Sequence, residues 1–239
     1  MNKTDQIKAV IFDFDNTLFD TEKIKLAMYG FAESWGFSPT EAEDIYQEAR
    51  GSNGQPIKIS LVSFSEALGE HLKKKQKIFW PEKLETAVGR IIEEDSLLAG
   101  ATDLLGFCQQ KNLEMCLLSL GVKEWQEEKV NGSKIGQFFE ANKIFFTDDQ
   151  KVGKVEMLKK IFGGNFIGSG AIIFNDKPDE TRDLLLEFPQ LIAFIRIEER
   201  DLRYQEKDFE NLKKDFPNRV FASKKLTELK NILKRKYVK

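Results

Sequence analysis

The sequence predicts an α/β protein, a doubly wound parallel sheet with a small helical bundle inserted after its first strand. Three observations carry that expectation. A β-branched and aromatic run, KAVIFDF (8–14), lies near the start of the chain and stops in an acidic turn. Four amphipathic helical segments follow with no strand pattern between them. From about residue 100, strand-like and helix-like segments alternate to the end, which calls for parallel strands joined by crossover helices.

The first strand reads as buried on both faces, because its apolar run does not alternate with polar residues. Beyond Asp20, the residues Ile24, Met28, Phe31 and Trp35 recur at three- and four-residue spacing and form one helical stripe. Ser38-Pro39-Thr40-Glu41 is a capping box with proline at the first helical position, so a second helix starts there and runs to Arg50 before Gly51. A third helix is expected over 57–74, with Leu61, Phe64, Leu68 and Leu72 on its apolar side. A fourth starts at Pro81 and carries Leu84, Val88 and Ile91. Such stripes are hidden by packing against one another, so residues 20–95 are expected to form a helical cap domain, with 1–19 and 96–239 as the α/β domain. Trp35 and Trp80 are expected to pack within that bundle.

In the second part, helices are expected over 102–111, 123–130, 155–162, 181–187 and 226–236. Strands are expected over 115–120, 143–147, 171–176, 191–197 and 219–223. The segment GGNFIGSG (163–170) is glycine-rich, but it lacks the Lys-Ser/Thr of a P-loop and precedes its strand, so it reads as a connecting loop.

Composition narrows the chemistry. The 239 residues carry 37 Lys plus Arg against 39 Asp plus Glu, and a net charge of -2 gives no electrostatic case for nucleic acid or a membrane surface. The lysine-rich runs 73–75 and 234–236 read as solvated helix faces. No apolar run approaches a membrane span, and MNKTDQIK lacks the hydrophobic stretch of a secretory signal, so a cytoplasmic protein is expected. Cys108 and Cys116 have apolar neighbours and read as buried reduced thiols. The single histidine, His71, reads as a surface or packing residue, which removes zinc clusters and leaves no evident Ser–His or Cys–His pair. Catalysis has to come from carboxylates, hydroxyls and lysines.

Those groups cluster at strand ends. The first strand delivers Asp13, then Asp15 and Thr17; the second delivers Ser119, followed by Leu120 and Gly121. Lys151 and Lys154 follow the third, and the fourth ends in Asp176 with Asp179 and Glu180 beyond it. In a parallel sheet these carboxyl ends share one crevice. Carboxylates beside a hydroxyl and an ammonium make a cation site next to an anion site, which suits Mg²⁺-dependent phosphoryl transfer. Asp13 and Asp15 can divide the labour, one attacking phosphorus while the other handles the proton. Ser119 and a lysine would hold the phosphoryl oxygens. Taken singly, Ser119 reads better as a helix cap and Lys154 as an ordinary exposed helix lysine; their order after Asp13 favours the functional reading.

DFDNT at the end of a hydrophobic strand, followed in order by Ser, Lys and a late acidic cluster, resembles the haloacid dehalogenase-like hydrolase superfamily over nearly the whole chain. The helical insert resembles the C1-type cap of phosphoglycolate phosphatases and β-phosphoglucomutases, set on a Rossmann-like core. The resemblance implies that Asp13 is the nucleophile that becomes an aspartyl phosphate and that Asp15 is general acid, then base. It implies Mg²⁺ on Asp13, Asp15 (through its backbone carbonyl) and Asp176. Thr17 would brace the turn; Thr17, Ser119, Leu120, Gly121 and Lys154 would lie against the substrate. Lys154 matches the motif lysine better than Lys151, and Glu180 stands where the supporting acid is usual, with Asp179 as the competitor. Asn175 departs from the glycine usual before the late aspartate. The retained Asp15 points to phosphate chemistry, since dehalogenases lack that second carboxylate.

The implied function is hydrolysis of a small phosphorylated metabolite by a monomer or homodimer, with a phosphomutase or a non-catalytic phosphate- or metal-binding protein as alternatives. A mutase would need a bisphosphorylated activator, and a binding protein would show no turnover. Phe19, Asp20, Lys23 and Tyr29 lie close enough to the first motif to be specificity candidates.

Overall fold

The computed structural model describes residues 7–51, 59–147 and 152–238. The chain enters through β1 (Ala9–Phe12) and passes at once into α1 (Thr21–Ser34), α2 (Pro39–Arg50), α3 (Leu61–Lys74) and α4 (Pro81–Asp95). After α5 (Ala101–Gln110) come β2 (Glu114–Leu120), α6 (Lys123–Gly132), β3 (Ile144–Thr147) and α7 (Lys154–Phe162). The rest is β4 (Ala171–Asn175), α8 (Pro178–Glu187), β5 (Ile192–Arg196), α9 (Glu206–Asp215), β6 (Val220–Ser223) and α10 (Leu226–Lys236).

All six strands are parallel and lie in the order β3-β2-β1-β4-β5-β6. The order reverses at β1 and β4, and ligand crevices of doubly wound sheets open at the carboxyl ends beside such a switch point. Alternate strand residues go to opposite faces, so Val10 and Phe12 join one core while Ala9 and Ile11 join the other. The first core takes in α5, α10 and the four-helix layer; the second takes in α7, α8 and α9. A ladder of rings crosses four strands: Phe12 to Phe174 at 5.1 Å, Phe174 to Phe194 at 5.0 Å and Phe194 to Phe221 at 5.2 Å. Each large ring buried there is worth about 1.5–3 kcal/mol, and a one-residue slip would move it to the wrong face. The ladder therefore sets the register that brings the ends of β1 and β4 level.

The four-helix layer closes on itself, with α1 against α2 and α4, and α3 against α2 and α4. The capping box at Ser38 and Glu41 forms as expected, with both reciprocal bonds present. Leu61, Phe64, Leu68 and Leu72 are buried, as the helical spacing predicts. Position 57 lies outside the described residues, and the third helix begins only after Ser60, whose hydroxyl caps it. In α4 it is Ile92 that is fully buried, with Ile91 at the margin. Trp80 corrects the packing expectation: it stays 54% exposed, while Trp35 does pack against the core. His71 lies on the surface of this layer, its Nε2 2.8 Å from Glu48.

The sequence reading misses α9, whose only buried residues are Phe209 and Leu212 in an otherwise charged helix. It also starts α8 at Thr181, whereas Pro178 occupies its first turn. Both cysteines are buried and unpaired, with burial pushing the Cys108 thiol up to about 12 and Cys116 up to about 11. Among the described residues no helix is long and apolar enough to cross a membrane.

Candidate active site

The acidic turn after β1 winds tightly around one carbonyl. Phe14 O accepts from Thr17, Leu18 and Phe19 N–H groups, and Asn16 takes a left-handed conformation with φ 55°. Buried Arg196, at the end of β5, donates to the Asn16 carbonyl at 2.6 Å and is itself paired with Glu198. Asp13 N–H donates to Phe174 O of β4 at 2.9 Å, which ties the turn to the neighbouring strand. Asp13 is left buried, its Oδ2 accepting from the Thr17 hydroxyl at 3.2 Å and its Oδ1 from Lys154 Nζ at 2.7 Å.

Lys154 opens α7 and is itself buried; its ammonium also donates to Glu180 Oε1 at 2.5 Å and Asn175 Oδ1 at 3.2 Å. Burial alone would lower the Lys154 pKa, but the charges of Asp13 and Glu180 raise it above the ordinary lysine value, so it stays an ammonium. Burial would likewise raise the Glu180 carboxyl, and Lys154 and Lys177 overcome that and hold it below the usual range. Lys177, which directly follows Asp176, is a further cation kept charged by Glu180, Asp176 and Asp13 against the pull of burial. Asp176 is buried and its Oδ1 has no hydrogen-bond partner among the described residues; burial, then the charge of Asp13, push its carboxyl well above the usual range. Ser119 on β2 is fully buried with its hydroxyl equally unpartnered.

Asp15 points the other way, into a cavity of about 500 Å³ between the strand ends and the helical layer. Its Oδ1 accepts from Thr21 Oγ1 at 2.6 Å and forms an ion pair with Lys129; its Oδ2 accepts from Gln126 Nε2 at 2.7 Å. Burial would raise the Asp15 carboxyl; the charge and hydrogen bond of Lys129, together with the hydrogen bonds of Thr21 and Gln126, outweigh it and hold the carboxyl below its ordinary value. The helical layer lines this cavity with Lys25, Tyr46 and Arg50, and the loop after β5 contributes Arg200 and Arg203.

Asp13, Thr17, Ser119, Lys154 and Asp176 thus gather at the strand ends, with Leu120, Gly121, Asp15 and Asp176 lining the cavity. Lys151 lies outside the described residues. Between the two late acids, Glu180 turns inward to Lys154, whereas Asp179 is exposed and holds the Glu180 N–H and the Tyr204 hydroxyl. Of the specificity candidates only Phe19 lines the cavity. Asp20 instead caps α1 and pairs with Arg200, Lys23 pairs with Asp95, and Tyr29 stacks edge-on against Tyr46. Sequence reasoning missed Thr21, Gln126, Lys129 and Lys177. A buried Gln and Lys at i, i+3 on a charge-rich helix look like solvated residues until the fold turns them inward.

A family model described as haloacid dehalogenase-like hydrolase matches residues 7–162. The chain belongs to that family. Within it, the chain is 24% identical over 180 residues to a phosphorylated carbohydrates phosphatase of Thermotoga maritima, covering 71% of this chain and 76% of that protein. Among solved structures, the HAD-hydrolase YfnB of Bacillus subtilis, bound to magnesium, aligns over 95% of this chain and 99% of its own, with a TM-score of 0.60 at 18% identity. The L-2-haloacid dehalogenase of Xanthobacter autotrophicus aligns over 96% and 99% with a TM-score of 0.59 at 12% identity. A Thermotoga maritima protein named as a β-phosphoglucomutase aligns over 95% and 98% with a TM-score of 0.59 at 19% identity. At these identities the structures establish the fold, a Rossmann-like core of this family.

Proposed function

We propose that this family member is a Mg²⁺-dependent phosphatase that hydrolyses a small phosphorylated metabolite through an aspartyl phosphate on Asp13. The observation that carries the reading is the division between two carboxylates two residues apart. Asp13 is buried against Lys154 and Thr17, while Asp15 reaches into the cavity where a leaving group would lie. A halide departs as an anion and needs no proton, whereas an alkoxide does, so a second carboxylate on the cavity side favours a phosphoester over a C–halogen bond. The phosphatase name of the Thermotoga maritima relative agrees with this.

In this reading Asp13 attacks phosphorus, and Lys154 with the free Ser119 hydroxyl stabilises the oxygens that gather charge. Asp15, held ionised beside Lys129 in the free site, would take up a proton as the anionic phosphate binds. It would give that proton to the leaving oxygen, then take one from the water that cleaves the aspartyl phosphate.

The site suits a divalent cation. Asp176 has an unpartnered buried oxygen, and beside the charge of Asp13 its ionised form is unfavourable without a further cation. Among the described residues no group of three or more His, Cys, Asp or Glu could hold a metal; Asp13, Asp176 and the Asp15 backbone carbonyl would hold Mg²⁺, the oxygen ligands it prefers. When bound, Mg²⁺ would offset the repulsion between Asp13 and an anionic phosphoryl group. Residues 20–95 would act as a cap that closes over the cavity and excludes water.

The test is phosphate release from a panel of small phosphomonoesters, with and without Mg²⁺, by wild type and Asp13→Asn. Mg²⁺-dependent release abolished by the substitution is expected; retained turnover in Asp13→Asn overturns the nucleophile assignment. Turnover that appears only with a bisphosphorylated sugar would favour a mutase, consistent with the β-phosphoglucomutase-like fold. Binding without turnover would leave a phosphate sensor.

A further inference from the structure

The phosphatase reading needs Asp15 to give a proton to the leaving oxygen and later take another from the attacking water, and a carboxyl group does this only when its orientation is fixed. We infer that Lys129, with Gln126 beside it, is the positioning residue that fixes Asp15. Lys129 stands on α6, 2% exposed, and its one ion-pair partner among the described residues is Asp15, 114 positions away in the chain. Its ammonium also lies near three aromatic rings: those of Phe14, Phe19 and Trp125 stand 5.3, 5.2 and 5.7 Å from Nζ. An ammonium removed from water among ring faces has one strong acceptor to choose, so the pair tolerates little movement.

Gln126 closes the second side. One turn before Lys129 on the same helix, its Nε2 donates to Asp15 Oδ2 at 2.7 Å and to the Leu120 carbonyl at 3.2 Å. Its amide lies against Gly121, where an added Cβ would come within 2.5 Å of Nε2, so the glycine makes room for this contact. Thr21, the first residue of α1, holds Oδ1 from the helical layer. The carboxylate is thereby clamped between α6 and the first turn of the proposed cap, and the cation is the strongest member of the clamp.

Lys129 also lines the cavity, so direct binding of a phosphoryl group is the competing role. Leaving-group dependence separates the two. For a series of aryl phosphates from p-nitrophenyl to phenyl, kcat/KM reports the step in which the leaving oxygen departs. p-Nitrophenolate leaves without a proton, whereas phenolate benefits from one. In Lys129→Met, kcat/KM for phenyl phosphate should fall on the order of tenfold more than that for p-nitrophenyl phosphate, the scale of a misaligned general acid. Competitive inhibition by inorganic phosphate should be unchanged. Lys129→Arg, which keeps the charge but not the shape, should steepen the same dependence to a smaller degree; it carries the test if the methionine variant does not fold.

Equal losses across the series with weakened inhibition by phosphate would overturn the inference in favour of direct binding. Wild-type kinetics in both variants would overturn it outright. The phosphatase reading fails separately, if wild-type protein shows no hydrolysis of these esters that depends on Asp13, and the inference then falls with it.

Discussion

Asn175 accepts a hydrogen bond from the Lys154 ammonium at 3.2 Å and donates one to Glu180 Oε1 at 3.0 Å, so a neutral side chain braces both members of a buried ion pair. Its amide also donates to Thr181 Oγ1 at 3.0 Å, which ties the end of β4 to the first turns of α8. The residue is fully buried, and its Oδ1 acceptor and Nδ2 donors all have partners. The departure from the glycine usual in this family therefore supplies a polar hub.

Asn175→Gly removes all three contacts and leaves a void beside a buried charge. Each buried hydrogen bond is worth about 1 kcal/mol net, so a loss of roughly 2–3 kcal/mol in unfolding free energy is expected, read from urea denaturation. Turnover should drop about tenfold, because Lys154 keeps its carboxylates but loses the brace that orients it. Wild-type turnover in a destabilised Asn175→Gly would reduce Asn175 to a structural filler.

Lys154→Met tests the cation itself. Asp13 and Glu180 would then face each other across a buried site without the ammonium that now bridges them at 2.7 and 2.5 Å. Removing one partner of a buried pair costs about 3–5 kcal/mol, which should appear as a lower urea midpoint at neutral pH. Phosphate release should fall by about 10²-fold or more, the usual cost of losing a preorganised charge at a transition state. Unchanged stability would mean that the two carboxylates find protons or another cation in its place.

The strand ends were legible because chemistry and topology agree there. A buried apolar strand that stops in Asp13 and Asp15 has few structural reasons to do so, and parallel pairing then brings Ser119 and Asp176 to the same edge. Lys154 was legible only by its order in the chain. Lys129 and Gln126 were not, because helix periodicity assigns a side chain to a face without saying what that face meets, and α6 is rich in charge. Helix α9 was lost for the same reason, since two buried apolar residues give too weak a stripe. Lys23 and Tyr29 misled as specificity candidates because nearness in sequence to the first motif places them on α1, whose cavity-lining residues include Glu22, Ile24, Lys25 and Met28.

Acid should act on the support of the acidic turn before it reaches the sheet. Glu198 is buried beside Arg196, and Arg196 carries the Asn16 carbonyl on its other side. Burial alone would raise the Glu198 carboxyl; the hydrogen bonds from Arg200 and the charge of Arg196 outweigh it and hold the pKa at about 2, against an ordinary 4.5. A carboxyl lowered on folding adds stability that is fully present above its unfolded pKa and is lost as pH falls through the folded one. Wild-type protein should therefore lose this contribution between about pH 4.5 and 2. Glu198→Gln should lower the urea midpoint at pH 7 and flatten its decline across that window, because the glutamine has no proton to take up. Parallel curves for the two proteins over the same range would show that the Glu198 pair adds nothing to folding and that the turn is held by its own backbone bonds.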